Sequence, residues 1–304
     1  MDAQLIDRLK QKYGAAIIDN GLRMHPEFFI DEVAWRDRVD PHYTRIWLEF
    51  TYGGLFTRKE LDDRTRLLVA LAQFLSLGEL EELERQIPCA LAAGATPREV
   101  LEVMLQCTVY IGYLRAGRGA KLCIKVLEKL GRLDEVTRNQ LPLDGRLPQR
   151  SLAAERKEWP AAKSTEETAL REKFVERYDW PGVSSRIRLQ AHQGYDSMKG
   201  YDRVDPHYLK LWLDFIYAEM YTRDVLDGRT RLLCMVGICL ALNEPIQLEN
   251  HMRGAMFQGA KAREVLEVLL HSTAYVGMPT TILQIKLLER VAKEEGRYEE
   301  LTAQ

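Results

Sequence analysis

The sequence predicts an all-α protein built from two tandem copies of one helical unit, and three observations carry that expectation. The block DRVDPHY at positions 37–43 recurs identically at 202–208, an offset of 165 residues. The same offset relates Trp47 to Trp212, Phe50 to Phe215, Tyr52 to Tyr217 and the RTRLL block at 64–68 to that at 229–233. It runs without a gap through REVLEV, at 98 and 263, to Gly131-Arg132 and Gly296-Arg297. Apolar residues recur three and four apart in both copies, and no stretch alternates with period two.

The elements follow in order. Asp40-Pro41 and Asp205-Pro206 pair an N-cap with a proline at the first helical position. The helix after each carries Tyr, Trp, Leu and Phe on one face. The RTRLL helix comes next and ends near Gly78 or Asn243, and a further helix runs to Gly94 or Gly259. Thr96-Pro97-Arg98-Glu99 supplies cap, proline and capping glutamate for the REVLEV helix. Unit two keeps Glu264 but has Lys261-Ala262 at that start, a weaker signal. Gly112 and Gly277 break the chain before a last helix. The expected division is 1–135 for unit one, 136–165 for a Pro- and charge-rich linker, and 166–304 for unit two. Ser164 and Glu167 look like a capping box opening unit two.

Composition narrows the function classes. Lys plus Arg number 43 against 45 Asp plus Glu, a formal charge of −2, which argues against a nucleic-acid grip built on bulk charge. The longest apolar runs, from Leu67 and from Leu232, are about eleven residues, short of a membrane span. The N-terminal segment mixes charges and lacks the apolar core of a signal peptide. Five cysteines are scattered with no CxxC spacing, four of them in apolar helical runs. They read as reduced, buried thiols, and the expected location is the cytoplasm. No metal-ligand spacing stands out.

The segments WLDFIYAEMYTR, LDGRTRLL and LENHMRGAMFQGAKAREVLEVLLHSTAYVGMP of unit two carry a resemblance to a known family. The chain resembles the carboxymuconolactone decarboxylase family, the all-helical superfamily that also includes the alkylhydroperoxidase D proteins. Nearly all of each unit is covered. Unit one shares the scaffold but has Gly54, Gln86, Gln106 and Leu114 where unit two has Glu219, His251, His271 and Pro279. The resemblance implies subunits around a threefold axis, so three tandem chains would make a six-unit homo-oligomer. It also implies a cofactor-free lyase that removes CO₂ from a small unsaturated carboxylate or lactone, a reaction of aromatic-compound catabolism.

Under that resemblance His251 matches the family's histidine and Glu219 the glutamate of the preceding helix. Imidazole titrates nearest neutrality and can both take and give a proton. The expected catalytic set is His251, Glu219 and His271, placed in unit two because unit one lacks it. Arg229, Arg231, Tyr217, Tyr221 and Tyr275 are the expected substrate-binding residues. The two arginines are two apart on a helix, so at most one faces a given pocket, and one guanidinium can fork a carboxylate. Each residue also has a structural reading. A buried histidine can bond a helix carbonyl, a glutamate at a helix end can be solvated, and the tyrosines can be core. Arg64/Arg66 and Arg229/Arg231 occur in both units and suit salt bridges.

Other functions remain open at this stage. Isomerisation or retro-aldol cleavage of a similar acid would use the same groups. A non-catalytic ligand-binding or scaffold protein would suit the altered first unit. Thiol peroxidase chemistry needs a CxxC near the histidine, and neither unit has one.

Overall fold

Asp40 and Asp205 cap their helices as their position requires, each carboxylate accepting the N–H of Tyr43 or Tyr208 at 3.0 Å. The helices they open belong to a computed structural model that describes residues 3–138, 140–141, 151–191, 193 and 195–302. No strand occurs among them.

Unit one begins with α1 (Ala3–Tyr13), α2 (Ala15–Met24), α3 (Phe29–Val39) and α4 (Pro41–Thr51). It continues with α5 (Asp63–Leu77), α6 (Leu80–Ala92), α7 (Pro97–Gln106), α8 (Thr108–Lys129) and the short α9 (Leu133–Thr137). After α10 (Leu152–Glu158), unit two repeats the order as α11 (Thr165–Tyr178), α12 (Trp180–Gln190), α13 (Tyr195–Val204) and α14 (Pro206–Trp212). Then come α15 (Gly228–Leu242), α16 (Pro245–Phe257), α17 (Ala262–Val276), α18 (Met278–Glu294) and α19 (Glu299–Thr302).

The caps explain most of the boundaries. Asp62 and Asp227 each accept the N–H three residues on at 2.8 Å, starting α5 and α15. Both helices stop at a left-handed residue, Gly78 (φ 84°) and Asn243 (φ 55°). Thr96 and Glu99 close a full capping box on α7, whereas at α17 only the Lys261 N–H finds Glu264. Ser164 accepts the N–H of Glu167, but the Glu167 carboxylate turns to the Lys163 N–H instead of closing a box on Ser164.

Two features depart from the sequence expectation. The expected linker contains α10, whose Ser151 cap and Ala, Glu, Arg and Lys content favour a helix despite the prolines around it. Residues 139 and 142–150 of that linker lie outside the described residues. Helix α10 packs on α12: Glu155, 3 % exposed, accepts from Ser184 at 2.7 Å and pairs with Arg188 at 2.9 Å. The second feature is a wide π-type segment, Leu213–Met220, that continues α14 where unit one ends α4 in an ordinary turn. The repeat register has no insertion here, so the widening comes from local packing. Such segments often shape functional sites.

The two units meet along α5 and α15, both almost wholly buried. Gly237 on α15 allows the close approach, since a Cβ there would lie 2.7 Å from the Val69 side chain. Charged groups then cross in a reciprocal pattern. Glu267 of unit two receives Arg58 at 2.5 Å and Arg66 at 3.8 Å from unit one. Glu102 of unit one receives Arg223 at 3.0 Å and Arg231 at 3.3 Å from unit two. Each residue here maps onto its opposite number at the repeat offset, so the units are related by a pseudo-twofold axis.

Candidate active site

A cavity of about 530 Å³ lies where α12, the π segment, α15 and α16 of unit two meet the start of α8 from unit one. His251 on α16 is 3 % exposed and lines it. Its Nε2 lies 2.9 Å from the hydroxyl of Tyr110, which unit one contributes. Tyr110 in turn meets the hydroxyl of Tyr221 at 3.1 Å. On the other ring nitrogen, Gln190 Nε2 approaches Nδ1 at 3.3 Å, and the Gln190 carbonyl accepts from Tyr217 at 3.1 Å.

This chain fixes the proton positions. Gln190 donates to Nδ1, so the imidazole proton sits on Nε2 and is donated to Tyr110. With its oxygen accepting from His251, Tyr110 can donate to Tyr221, which also lines the cavity. Burial pushes the His251 pKa down to about 4, so the ring is neutral at pH 7. Burial likewise raises Tyr217 to about 12, and raises Tyr110 and Tyr221 as well, which keeps the hydroxyls protonated.

Arg186 on α12 lines the same cavity and is fully buried. None of its three guanidinium nitrogens has a hydrogen-bond partner among the described residues. Its guanidinium lies 4.6 Å from the centroid of the Tyr195 ring. A buried cation without a counter-ion is costly to keep, and an anionic ligand would relieve that cost. The sequence reasoning missed Arg186 and Gln190. A signal was there: both fall on the apolar face of α12 with Val183 and Ile187, four residues apart. Comparing units at the repeat offset would have shown Gly21 and His25 in their places.

The expected residues divide. His251, Tyr217 and Tyr221 come together in this cavity. Glu219 does not join them: it is exposed, on the outer side of the π segment. His271 is buried on α17 against the unit interface, its Nδ1 donating to the Glu267 carbonyl at 3.0 Å. Burial, with Arg66 nearby, holds its pKa at about 3. Tyr275 lines a different cavity, on the unit-one side. Arg229 pairs with Glu264 inside unit two. Arg231 is spent on the crossing cluster, donating to Gln106 at 3.2 Å and to the Arg223 carbonyl at 2.8 Å. Both expected arginines are therefore held in structural pairs, and Arg186 is an arginine that lines this cavity without one among the described residues.

All five cysteines are free and buried, and burial raises their thiols, Cys89 to about 12. Among the described residues no group of three or more His, Cys, Asp or Glu is placed to hold a metal ion. No described helix is long and apolar enough to cross a membrane.

Comparison with known proteins gives a consistent picture. The sequence pattern of the carboxymuconolactone decarboxylase family matches residues 41–122 and 206–289, one match in each unit. The chain is 30 % identical over 82 residues to a 4-carboxymuconolactone decarboxylase of Acinetobacter baylyi, covering 27 % of this chain and 61 % of the relative. It is 40 % identical over 78 residues to an uncharacterized 15.0 kDa protein of Paracoccus denitrificans, covering 25 % and 58 %. It is 25 % identical over 92 residues to a nitrosuccinic acid decarboxylase of Metarhizium robertsii, covering 29 % and 64 %. The match thus spans about three fifths of each relative's length. Arg186 and Gln190 lie outside the residues matched to the family pattern.

Proposed function

The chain belongs to the carboxymuconolactone decarboxylase family, and we propose that it is a cofactor-independent lyase removing CO₂ from a small unsaturated lactone acid in the cavity around His251. The observation that carries this reading is the unpartnered, fully buried Arg186 in the same cavity as the His251–Tyr110–Tyr221 chain. Two of the named relatives are decarboxylases, which supports the reaction class.

The arrangement suits the chemistry. As the C–C bond to the carboxylate breaks, its electron pair moves into the conjugated lactone carbonyl and charge builds on that oxygen. The Tyr221 O–H is the cavity's terminal donor and would stabilise it. An arginine on the departing carboxylate would favour the ground state, because charge leaves that group. Arg186 therefore accelerates the step only by holding a second, non-reacting carboxylate or the developing enolate. His251 is neutral in the free protein and its Nε2–H faces Tyr110, so the carbon that lost CO₂ would take its proton from Tyr221, which is refilled through Tyr110 from the ring. Water restores that proton. The Gln190 contact orients the ring, and Tyr217 holds Gln190. The same groups would serve an isomerase or retro-aldol enzyme, so product analysis has to accompany CO₂ detection.

The test is turnover of 4-carboxymuconolactone and related lactone acids by wild type, His251→Ala and Tyr110→Phe proteins. His251→Ala should lose at least two orders of magnitude in kcat, and Tyr110→Phe roughly 10–100-fold. Equal rates in wild type and His251→Ala would sink the role given to the imidazole. The buried reduced thiols support a cytoplasmic location. Exposed apolar side chains such as Tyr113, Leu114, Ile282 and Leu283 support assembly of tandem chains into a larger homo-oligomer, proposed as a trimer with six units.

A further inference from the structure

Unit one holds a second cavity, about 460 Å³, at the pseudo-twofold position of the first. Tyr275 of unit two completes it, as Tyr110 of unit one completes the other. Tyr52 and Trp47 stand where Tyr217 and Trp212 stand, but the central pair is exchanged. At the repeat offset Gln86 replaces His251, and His25 replaces Gln190. An imidazole and a carboxamide are thus kept in one another's places, on α6 and just after α2.

The charge pattern is changed too. The counterpart of Arg186 is Gly21, and the space a side chain would take there is filled by the Phe29 ring, within 2.0 Å of an added Cβ. Two other arginines reach this cavity, and both are already engaged. Arg85 binds Glu32 at 2.5 Å, and Arg36 also pairs with Glu32. Burial opposes the charge on Glu32, but hydrogen bonds from Arg36, Trp35 and Arg85 pull its pKa down to about 2. Glu82 accepts from Gln86 Nε2 at 2.7 Å, which puts a carboxylate beside the amide. An anion entering here would meet carboxylates and no free cation.

Two polar atoms in this cavity are unsatisfied. His25 is 2 % exposed and its ring faces the Gln86 amide closely enough to favour its protonated form, yet neither its Nδ1 nor the buried Oε1 of Gln86 makes a hydrogen bond of full geometry. Burial lowers the His25 pKa to about 3, so its ring is neutral. The walls are aromatic: Tyr52 packs edge-on to both His25 and Phe56, at 5.8 and 5.5 Å between centroids. The Gln86 carbonyl oxygen, an acceptor set beside a neutral imidazole and between rings, calls for a flat ligand that brings a hydrogen-bond donor and no charge.

We propose that this cavity is a second binding site, selective for an uncharged hydroxylated aromatic ring, and distinct in ligand class from the carboxylate-binding cavity of unit two. A phenolic O–H would donate to Gln86 Oε1 while the ring packs between Tyr52, Phe56 and Tyr275. The inference rests on this cavity's own geometry and does not depend on the reaction proposed above.

The test titrates the full chain with phenol, benzoate and benzylamine by calorimetry, using wild type, Arg186→Met and Gln86→Met proteins. Phenol binding should survive Arg186→Met and weaken at least tenfold in Gln86→Met. Benzoate should show the reverse dependence. Loss of phenol binding in Arg186→Met, no change in Gln86→Met, no phenol binding at all, or tighter binding of benzylamine than phenol would each overturn the proposal. Histidine-ring NMR on the wild-type protein keeps the test open if a variant misfolds. Phenol must then shift the His25 resonances and leave those of His251 in place, and the opposite pattern refutes the site.

Discussion

Replacing Arg186 by methionine should move stability and ligand binding in opposite directions. In the free protein the guanidinium is fully buried, and none of its nitrogens has a described partner. Exchanging a buried unpaired charge for an apolar side chain of similar length is worth about 1–4 kcal/mol of stability. The Tyr195 ring beneath it returns about 0.5–2 kcal/mol that the variant forfeits. The net expectation is a gain of about 1–2 kcal/mol, read as a higher urea midpoint with an unchanged slope. Binding should move the other way. Two charge-assisted hydrogen bonds to a carboxylate contribute about 1.5–3 kcal/mol each. Because the arginine is desolvated before the ligand arrives, little of that is spent on stripping its water. A loss of roughly 10²–10⁴-fold in carboxylate affinity follows. Urea unfolding at pH 7 and benzoate titration followed by Trp212 fluorescence measure the two quantities on one sample. A variant destabilised by more than about 1 kcal/mol, or one that binds benzoate as tightly as wild type, would refute the argument.

Three further outcomes follow from the same structure. Glu102→Leu should cost about 3–5 kcal/mol, because it strands the buried Arg231 across the unit interface, and Glu102→Leu/Arg231→Met should recover most of that loss. A single-variant cost below about 1 kcal/mol, or no recovery in the double, argues against the crossing pairs as they are drawn. His25, His251 and His271 have pKa values lowered from 6.5 to about 3, 4 and 3, so each takes a proton more readily in the unfolded chain. Stability should therefore be complete above about pH 6.5 and fall as pH drops toward 4, by up to about 1.4 kcal/mol per pH unit for each ring. Denaturation midpoints at pH 5 and 7 test this, and equal midpoints would contradict the burial of these rings. Gly237→Ala should destabilise by about 1–3 kcal/mol, since its methyl would meet Val69 at the α5–α15 crossing, and a neutral effect would mean the helices can part.

The repeat, the helical class and most caps were legible because they depend on local chemistry: an aspartate before a proline, a glycine after an apolar run. Helix α10 was hidden because its flanking prolines and charges resemble a linker, and only its burial against α12 distinguishes it. The site was half legible. His251, Tyr217 and Tyr221 lie on stretches whose spacing and resemblance flagged them. Arg231 was misplaced because an arginine on an apolar helix face reads alike whether its partner is a substrate or Glu102 of the other unit. Glu219 lies outside the site because its position is exposed, as its counterpart Gly54 is in unit one, and a glutamate near a helix end reads alike in the sequence whether it faces solvent or a pocket. Arg186 and Gln190 lay on the apolar face of α12, where polar residues four apart are a faint signal, and Tyr110 could not be assembled from unit two alone, since the cavity draws on both units.

That shared construction has an evolutionary consequence. Two identical chains around a twofold axis present every substitution twice, so a change that suits one pocket is imposed on the other. Joining the copies in one chain removes that constraint while leaving the packing between them. Each position of the ancestral unit becomes two independent heritable positions, and Gly21 can become a different residue from Arg186. Selection can then hold one cavity fixed while it explores the other, with the borrowed tyrosines keeping both inside a single folding unit.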